Sequence, residues 1–179
     1  MTPLIREARA GDIDAVARVL VAAFEQYRPP PDAPVTPEHR AAFERYLQDT
    51  ADVRSRTSGA ELFVAEDAAE IVGAATLYPP HEPVGYPADV ERTPWPGEWA
   101  SLRFLAVVPA RRGSGIGRML AEARIERARA LGAPVVALHT SAHFAASRRM
   151  YRRMGWEHAP AYDFWPAPTL RAEAYILRL

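Results

Sequence analysis

The stretch Val107–Leu120, VVPARRGSGIGRML, decides how the rest of the chain is read. Gly113, Gly115 and Gly117 stand at alternate positions, behind Arg111 and Arg112. The apolar run Leu102–Val108 precedes them, and an amphipathic segment with Ile116, Met119, Leu120, Ala123 and Leu131 on one face follows. A strand, a cationic glycine turn and a helix in that order make an anion site. The first N–H groups of a helix lack intrahelical partners and carry partial positive charge, and glycine lets backbone approach an anion closely. A phosphate-binding P-loop requires a Gly-Lys-Ser/Thr ending, and the chain contains no Lys. A dinucleotide fingerprint requires Gly-x-Gly-x-x-Gly and an acidic residue closing the next strand. Here the spacing is Gly-x-Gly-x-Gly, and the next strand, VVALHTS, closes on His139, Thr140 and Ser141.

Composition narrows the field. A chain of 179 residues can bury a substantial core, and the absence of repeats or linkers predicts a single domain over residues 1–179. The 22 basic and 22 acidic residues cancel, which argues against a nucleic-acid partner. With no Cys, thiol nucleophiles, disulfides and thiolate metal sites are excluded, and no metal site is expected. All 22 basic residues are Arg, so Schiff-base chemistry is excluded too. The opening MTPLIREARAGD has no signal-peptide pattern and no apolar run reaches membrane length, so a cytoplasmic protein with no membrane contact is expected.

Along the chain, LIREA reads as a strand. Asp12 is placed to cap a helix through Phe24, with Ile13, Val16, Leu20 and Phe24 on one face. Thr36 and Pro37 open a second helix reaching about Val53. ELFVAED and EIVGAATLY read as a hairpin turning at Ala68–Ala69. The segment Pro79–Gly97 holds six prolines and no periodicity. Tyr86 and Trp95 within it point to a substrate lid, with Glu82, Asp89 and Glu91 as its acidic groups. SLRFLAVV and VVALHTS have the apolar continuity of strands covered on both faces. FAASRRMYRRMG reads as a helix closed by Gly155. AEAYILRL is a last strand, with one more expected within WEHAPAYDF.

Arg112-x-x-Gly115-x-Gly117 resembles the Arg/Gln-x-x-Gly-x-Gly/Ala signature of the GNAT (GCN5-related N-acetyltransferase) superfamily. The strand before it, the helix after it and the later ASRRMYRRMGW, similar to the family's alanine-rich helix closing in Tyr-x-x-x-Gly-aromatic, fit the same pattern. The N-terminal and C-terminal elements also resemble that family's, so the likeness spans essentially the whole chain. It implies an α/β (α+β) GNAT fold: one central, mixed but mostly antiparallel sheet of about six to seven strands with about four flanking helices. That sheet would splay between SLRFLAVV and VVALHTS, where acetyl-CoA, the implied co-substrate, lies.

What the resemblance implies about residues is specific. Leu105, Ala106 and Val107 would meet the pantetheine arm, with the Leu105 N–H facing the thioester carbonyl as an oxyanion donor. Arg112, Gly113, Ser114, Gly115, Gly117 and Arg118 would ring the pyrophosphate, with Arg111 adding charge. Tyr151 would protonate the departing CoA sulfur, since a phenol of pKa about 10 suits a thiolate of similar basicity. The family's Asn before this last helix is missing. Ala142, His143 and Phe144 stand there, and Ser147 is the expected substitute. Some relatives carry a Glu at the position of Ser101, which is no base. Glu98 is the expected carboxylate in its place, with His139, at a strand end, as the other candidate. The implied activity is an acyl-CoA-dependent N-acyltransferase acting on a primary amine of a small molecule or peptide, in a monomer or homodimer. The alternative is a non-catalytic acyl-CoA binding or sensing module. Tyr162, Asp163 and Trp165 are read as groups able to receive a cationic, partly apolar amine.

Overall fold

The computed structural model describes residues 2–86 and 90–179. In chain order the elements are β1 (Leu4–Glu7), α1 (Ile13–Glu25), α2 (Pro37–Ala51), the one-turn α3 (Val53–Arg56), β2 (Glu61–Asp67), β3 (Glu70–Tyr78), β4 (Ala100–Val107), α4 (Ile116–Ala130), β5 (Val135–Thr140), α5 (Ala145–Arg153), β6 (Glu157–His158), β7 (Phe164–Ala167) and β8 (Leu170–Arg178). The sheet has eight strands in the order β1-β2-β3-β4-β5-β8-β6, with β7 paired to β8 off that path. Every pairing is antiparallel except β4 with β5, so the sheet is mixed and mostly antiparallel as expected. Among the described residues no helix is long and apolar enough to cross a membrane.

Local chemistry accounts for most boundaries. Thr36 Oγ1 accepts the His39 N–H at 3.2 Å and Pro37 fills the first turn of α2. The β2–β3 hairpin turns on Ala68 and Ala69, both left-handed at φ 49° and 66°, which matches the twist of the strands. Gly155, at φ 85°, ends α5, and Trp156 N–H returns to Tyr151 C=O at 3.1 Å. Asp12 departs from expectation: its carboxylate makes no cap to α1. It accepts the Arg9 N–H at 2.7 Å and pairs with Arg6 at 2.6 Å, closing a 3-10 turn ahead of the helix. β7 is the strand the sequence reading did not place. Pro166 masks it, and is tolerated because β7 pairs irregularly at the sheet margin.

The two faces of the sheet are covered differently. Val16, Leu20 and Phe24 of α1 and Phe43 and Leu47 of α2 pack with Val64 and Phe104 on one face. Leu120, Ala121 and Ile125 of α4 and Tyr151 of α5 are buried in the clusters on the other. Arg124, also on the inward side of α4, has no exposed surface. Its guanidinium donates to Leu120, Thr76 and Arg103 carbonyls at 3.2, 3.0 and 3.2 Å. One cation thereby ties the helix to β3 and β4.

Two irregularities place the site. On β4, Phe104 adopts φ 54°, and the register against β3 passes from Thr76↔Arg103 to Ala74↔Ala106. Phe104 and Leu105 therefore oppose Ala75 alone, which is a β-bulge. The parallel pairing of β4 with β5 spans only Ala100↔Val136, Ser101↔Ala137 and Leu102↔Leu138. Beyond Leu102 the two strands part, and the rest of β4 presents an open edge.

Candidate active site

The open edge has a defined polarity. Val108 N–H donates to Val72 C=O at 3.0 Å, toward β3. Because successive backbone groups of a strand alternate in direction, Ala106 also faces β3, while Leu105 and Val107 face the gap. Leu105 N–H is thus directed where β5 has left, and the Leu105 side chain packs against the cluster holding Tyr151. The Val107 carbonyl, on the same side, is taken by Arg112 Nε at 3.2 Å.

The gap ends at the glycine turn. Gly113 and Gly115 have φ 77° and 85°, conformations that disfavour any side chain, and a Cβ on either would project into open space. Gly117 differs. It lies in the first turn of α4, and its Cβ would meet Met150 Sδ and Val107 Cγ2 at 3.8 Å, ordinary contact. The chain itself would accept a side chain there. Gly115 precedes α4, whose first residues Ile116, Gly117 and Arg118 have no carbonyl behind them to bond. Ser114 Oγ turns back to Arg111 C=O at 2.6 Å, which leaves its amide on the outer side of the turn's hydrogen bond. These amides fit a pyrophosphate.

The arginines act differently from expectation. Arg112 donates to Ala23 C=O at 3.1 Å and to Gln26 Oε1, pinning the turn to the carboxyl end of α1. Arg111 pairs with Asp67. Arg118 pairs with Glu122 at 2.7 Å across an exposed helix turn, a contact weak enough to yield to a ligand. Of the two ion-paired arginines, Arg118 is the more exposed, at 66% against 38% for Arg111.

Tyr151 is buried and stacks obliquely on Trp156, ring centroids 5.3 Å apart. Burial pushes its phenol above the ordinary value and the neighbouring Arg124 guanidinium opposes the rise, so Tyr151 carries its proton at neutral pH. Ser147 lies one helical turn earlier and half-buried on α5, on the side that Tyr151 shares. Leu105 and Val107 thus border a gap that ends at Gly113–Arg118, with Tyr151 in the cluster against which Leu105 packs.

The gap opens onto a cavity of about 450 Å³, bounded by α2, the β4 bulge and β7, that meets it at Phe104 and at Thr140–Ser141. Sequence reasoning missed this cavity because its walls come from five elements and the loops between them. The local signal was confined to α2, where His39, Ala42, Phe43 and Tyr46 share one face. Tyr86 lines the cavity, in keeping with the lid expectation for its segment. Asp89 lies outside the described residues. Glu82 and Glu91 are exposed and stand outside the cavity wall.

His139 is fully engaged. Its Nε2 is 2.9 Å from the Tyr162 carbonyl, which can only accept, so Nε2 carries the hydrogen and Nδ1 accepts the Tyr86 hydroxyl at 2.7 Å. Trp95 stacks on the imidazole at 4.5 Å and Phe164 meets it edge-on at 4.8 Å. Burial, with Arg92 and Arg103 nearby, takes its pKa down to about 4. It is a neutral anchor for the Tyr86 segment with no free lone pair, and it is no general base. Glu98 is exposed, precedes the start of β4, and is absent from the cavity wall. From Ala100 to Phe104 is about 13 Å of strand, so the geometry does not bring Glu98 to the gap. Ser101 is buried between Tyr78 and Ala137, its hydroxyl unpartnered.

The reading of Tyr162, Asp163 and Trp165 as an amine receptor is corrected by their partners. Asp163 is 1% exposed and committed to Ala174 N–H at 2.6 Å, to His158 at 3.0 Å and to Arg171. Trp165 points to solvent, 56% exposed, with Arg171 over its ring.

Residues 20–156 match the model of the Acetyltransferase (GNAT) family. No curated protein matches the sequence. Among solved structures, the chain is similar to a ribosomal-protein-alanine N-acetyltransferase from Brucella melitensis, at 24% identity and TM-score 0.61, covering 98% of this chain and 99% of that one. It resembles PaiA N-acetyltransferase from Thermoplasma acidophilum in complex with coenzyme A, at 12% identity and TM-score 0.69, over 100% of both chains. A GNAT family acetyltransferase from Brucella melitensis in complex with acetyl-CoA matches at 21% identity and TM-score 0.58, covering 99% of this chain and 88% of that one. At these identities the likenesses carry the fold.

Proposed function

The chain belongs to the GNAT acetyltransferase family, and from that premise we propose that it moves an acetyl group from acetyl-CoA to a primary amine of a small molecule or peptide by direct attack on the thioester. One observation carries this reading. The single parallel pairing in the sheet stops at Leu102, leaving Leu105 N–H directed into a gap that runs from a glycine turn at one end to a cavity at the other.

Acetyl-CoA supplies an activated acyl carbon, and the chain's residues do the rest. Amides of Gly113–Arg118 hold the pyrophosphate. The backbone of Leu105 and Val107 orients the pantetheine arm, with Ala106 keeping the strand paired to β3. Leu105 N–H donates to the carbonyl oxygen as negative charge develops there, where a preorganised donor has its largest effect. The amine nitrogen forms the new C–N bond as the C–S bond breaks. Tyr151 gives its proton to the leaving sulfur and the amine's proton leaves through solvent. Positioning is the larger part of the catalysis.

Ser101, where a carboxylate would serve as base, favours a second reading: an acyl-CoA binding module without turnover. Acetyl-CoA consumption in the presence of amines separates the two. Under the transfer reading, Tyr151→Phe lowers kcat by roughly ten- to ten-thousand-fold with the acetyl-CoA dissociation constant unchanged. An unchanged kcat removes Tyr151 as the acid, and no turnover by the wild-type protein with any amine favours the binding module.

A further inference from the structure

Aromatic rings make up much of the wall of the cavity beyond the gap. Phe43 and Tyr46 from α2, Phe104 from the bulge, Phe144 ahead of α5, Phe164 from β7 and Tyr86 all face it. The rings brace one another: Tyr46 lies 6.0 Å from Phe104 and 6.4 Å from Phe144, and Tyr86 lies 5.7 Å from Phe164. At about 450 Å³ the space falls in the range of about 300–1,000 Å³ that small-molecule sites occupy.

Its charges are as informative as its rings. Asp49 is the only carboxylate among the described lining residues, and it is already held by Arg103 at 2.7 Å with Arg56 at 3.8 Å. Four guanidiniums, of Arg28, Arg45, Arg103 and Arg171, stand in the same wall. A second cation on an acceptor would find Asp49 already occupied and no other lining carboxylate to receive it. An anionic group is not called for either, because Arg28, Arg103 and Arg171 have carboxylate partners within the chain.

We propose that the acceptor is a monoamine on an aromatic or branched apolar body, the body held among Phe43, Phe104 and Phe164 and the amine turned to the gap at Phe104 and Thr140. This rests on the acetyl-transfer reading and explains how that reaction proceeds with Ser101 where a base would stand. An ammonium entering an apolar cavity whose one lining carboxylate is already paired loses its proton more readily than in water. The wall selects the neutral, nucleophilic form, and no carboxylate is required.

The test uses the intact chain, acetyl-CoA and an amine panel: 2-phenylethylamine, 1,4-diaminobutane, spermidine and an alanine-led tripeptide. The expected kcat/KM for 2-phenylethylamine exceeds that for 1,4-diaminobutane by about a hundredfold, because a second charge left without a partner is costly in an apolar site. Its pH profile rises toward the pKa of the free amine and shows no ionisation of the protein. Leu170→Asp places a carboxylate in the half-buried wall, and is expected to narrow the ratio at least tenfold while acetyl-CoA binding is retained. Equal or better use of spermidine, 1,4-diaminobutane or the tripeptide overturns the proposal. So does a ratio that Leu170→Asp leaves unmoved in a folded protein. Calorimetric binding of each amine to the CoA-saturated protein is scored independently of turnover. Selective binding of 2-phenylethylamine without acetylation keeps the ligand class and overturns the transfer reading; acetylation with a preference for diamines does the reverse.

Discussion

Replacing His139 by Gln tests the state of the residue that holds the cavity wall. Gln keeps an acceptor for the Tyr86 hydroxyl and a donor for the Tyr162 carbonyl, and removes the titration. In the folded protein burial takes the imidazole from 6.5 down to about 4, with Arg92 and Arg103 adding to the effect and the Tyr162 carbonyl opposing it. Between those values the unfolded chain binds a proton that the folded chain refuses, so stability must rise with pH. The contribution is complete above pH 6.5 and is lost as pH falls toward 4. At 1.36 kcal/mol per unit the gap amounts to about 3 kcal/mol. Urea unfolding at pH 7, 5.5 and 4.5 reads it directly. Burial, His143 and Arg40 also lower the pKa of His39, but its effect cancels in the difference between the two proteins. Wild type is expected to lose about 2 kcal/mol more than His139→Gln between pH 7 and 4.5, the remainder being lost below pH 4.5. Equal losses would refute the buried neutral imidazole, and with it the claim that His139 is an anchor unable to act as a base.

Two further outcomes follow from groups that the chain buries. Arg124→Met leaves the Thr76 and Arg103 carbonyls without their donor at the β4 bulge, and is expected to destabilise by about 2–4 kcal/mol in urea unfolding, the lost hydrogen bonds outweighing relief of a buried charge; a neutral result would mean that packing alone shapes the bulge. At Asp163 burial works against ionisation, but Ala174 N–H, Arg171 and His158 together hold its pKa below the ordinary value. Its contribution is therefore present above pH 3.8 and lost as pH falls below it, so Asp163→Asn should lower stability at pH 7 and flatten the acid limb below pH 4; parallel acid limbs would contradict this.

The strand–turn–helix at Val107–Leu120 was legible because its chemistry is local. Glycines at positive φ, a proline-led turn and an amphipathic helix each leave their mark within a few residues. Tyr151 was legible for the same reason, being bound to a helix that ends in glycine and tryptophan. What escaped the sequence depends on contacts distant along the chain. Arg111 and Arg112 looked like anion ligands, and their partners, Asp67 and Gln26, come from other elements. Arg124 faces strand carbonyls and has no exposed surface, a placement that nothing near it in the sequence marks. The strand β7 was hidden by Pro166, which is harmful inside a sheet and tolerable at its margin. The aromatic cavity had no single sequence pattern to betray it, because Phe43 and Tyr46 share one face of α2 while the other rings come from different elements and loops.

The central claim is that the Gly113–Arg118 turn holds the pyrophosphate of acetyl-CoA, and Gly117→Asp with calorimetric titration of acetyl-CoA tests it most directly. The position carries no positive-φ demand, the nearest atoms lie at 3.8 Å, and a carboxylate in the first turn of a helix favours folding. The variant should therefore unfold no more easily than wild type. Its negative charge would occupy the place of the ligand's own, so acetyl-CoA affinity is expected to fall by about a hundredfold or more, near 3 kcal/mol. Wild-type affinity in the folded variant would contradict the account.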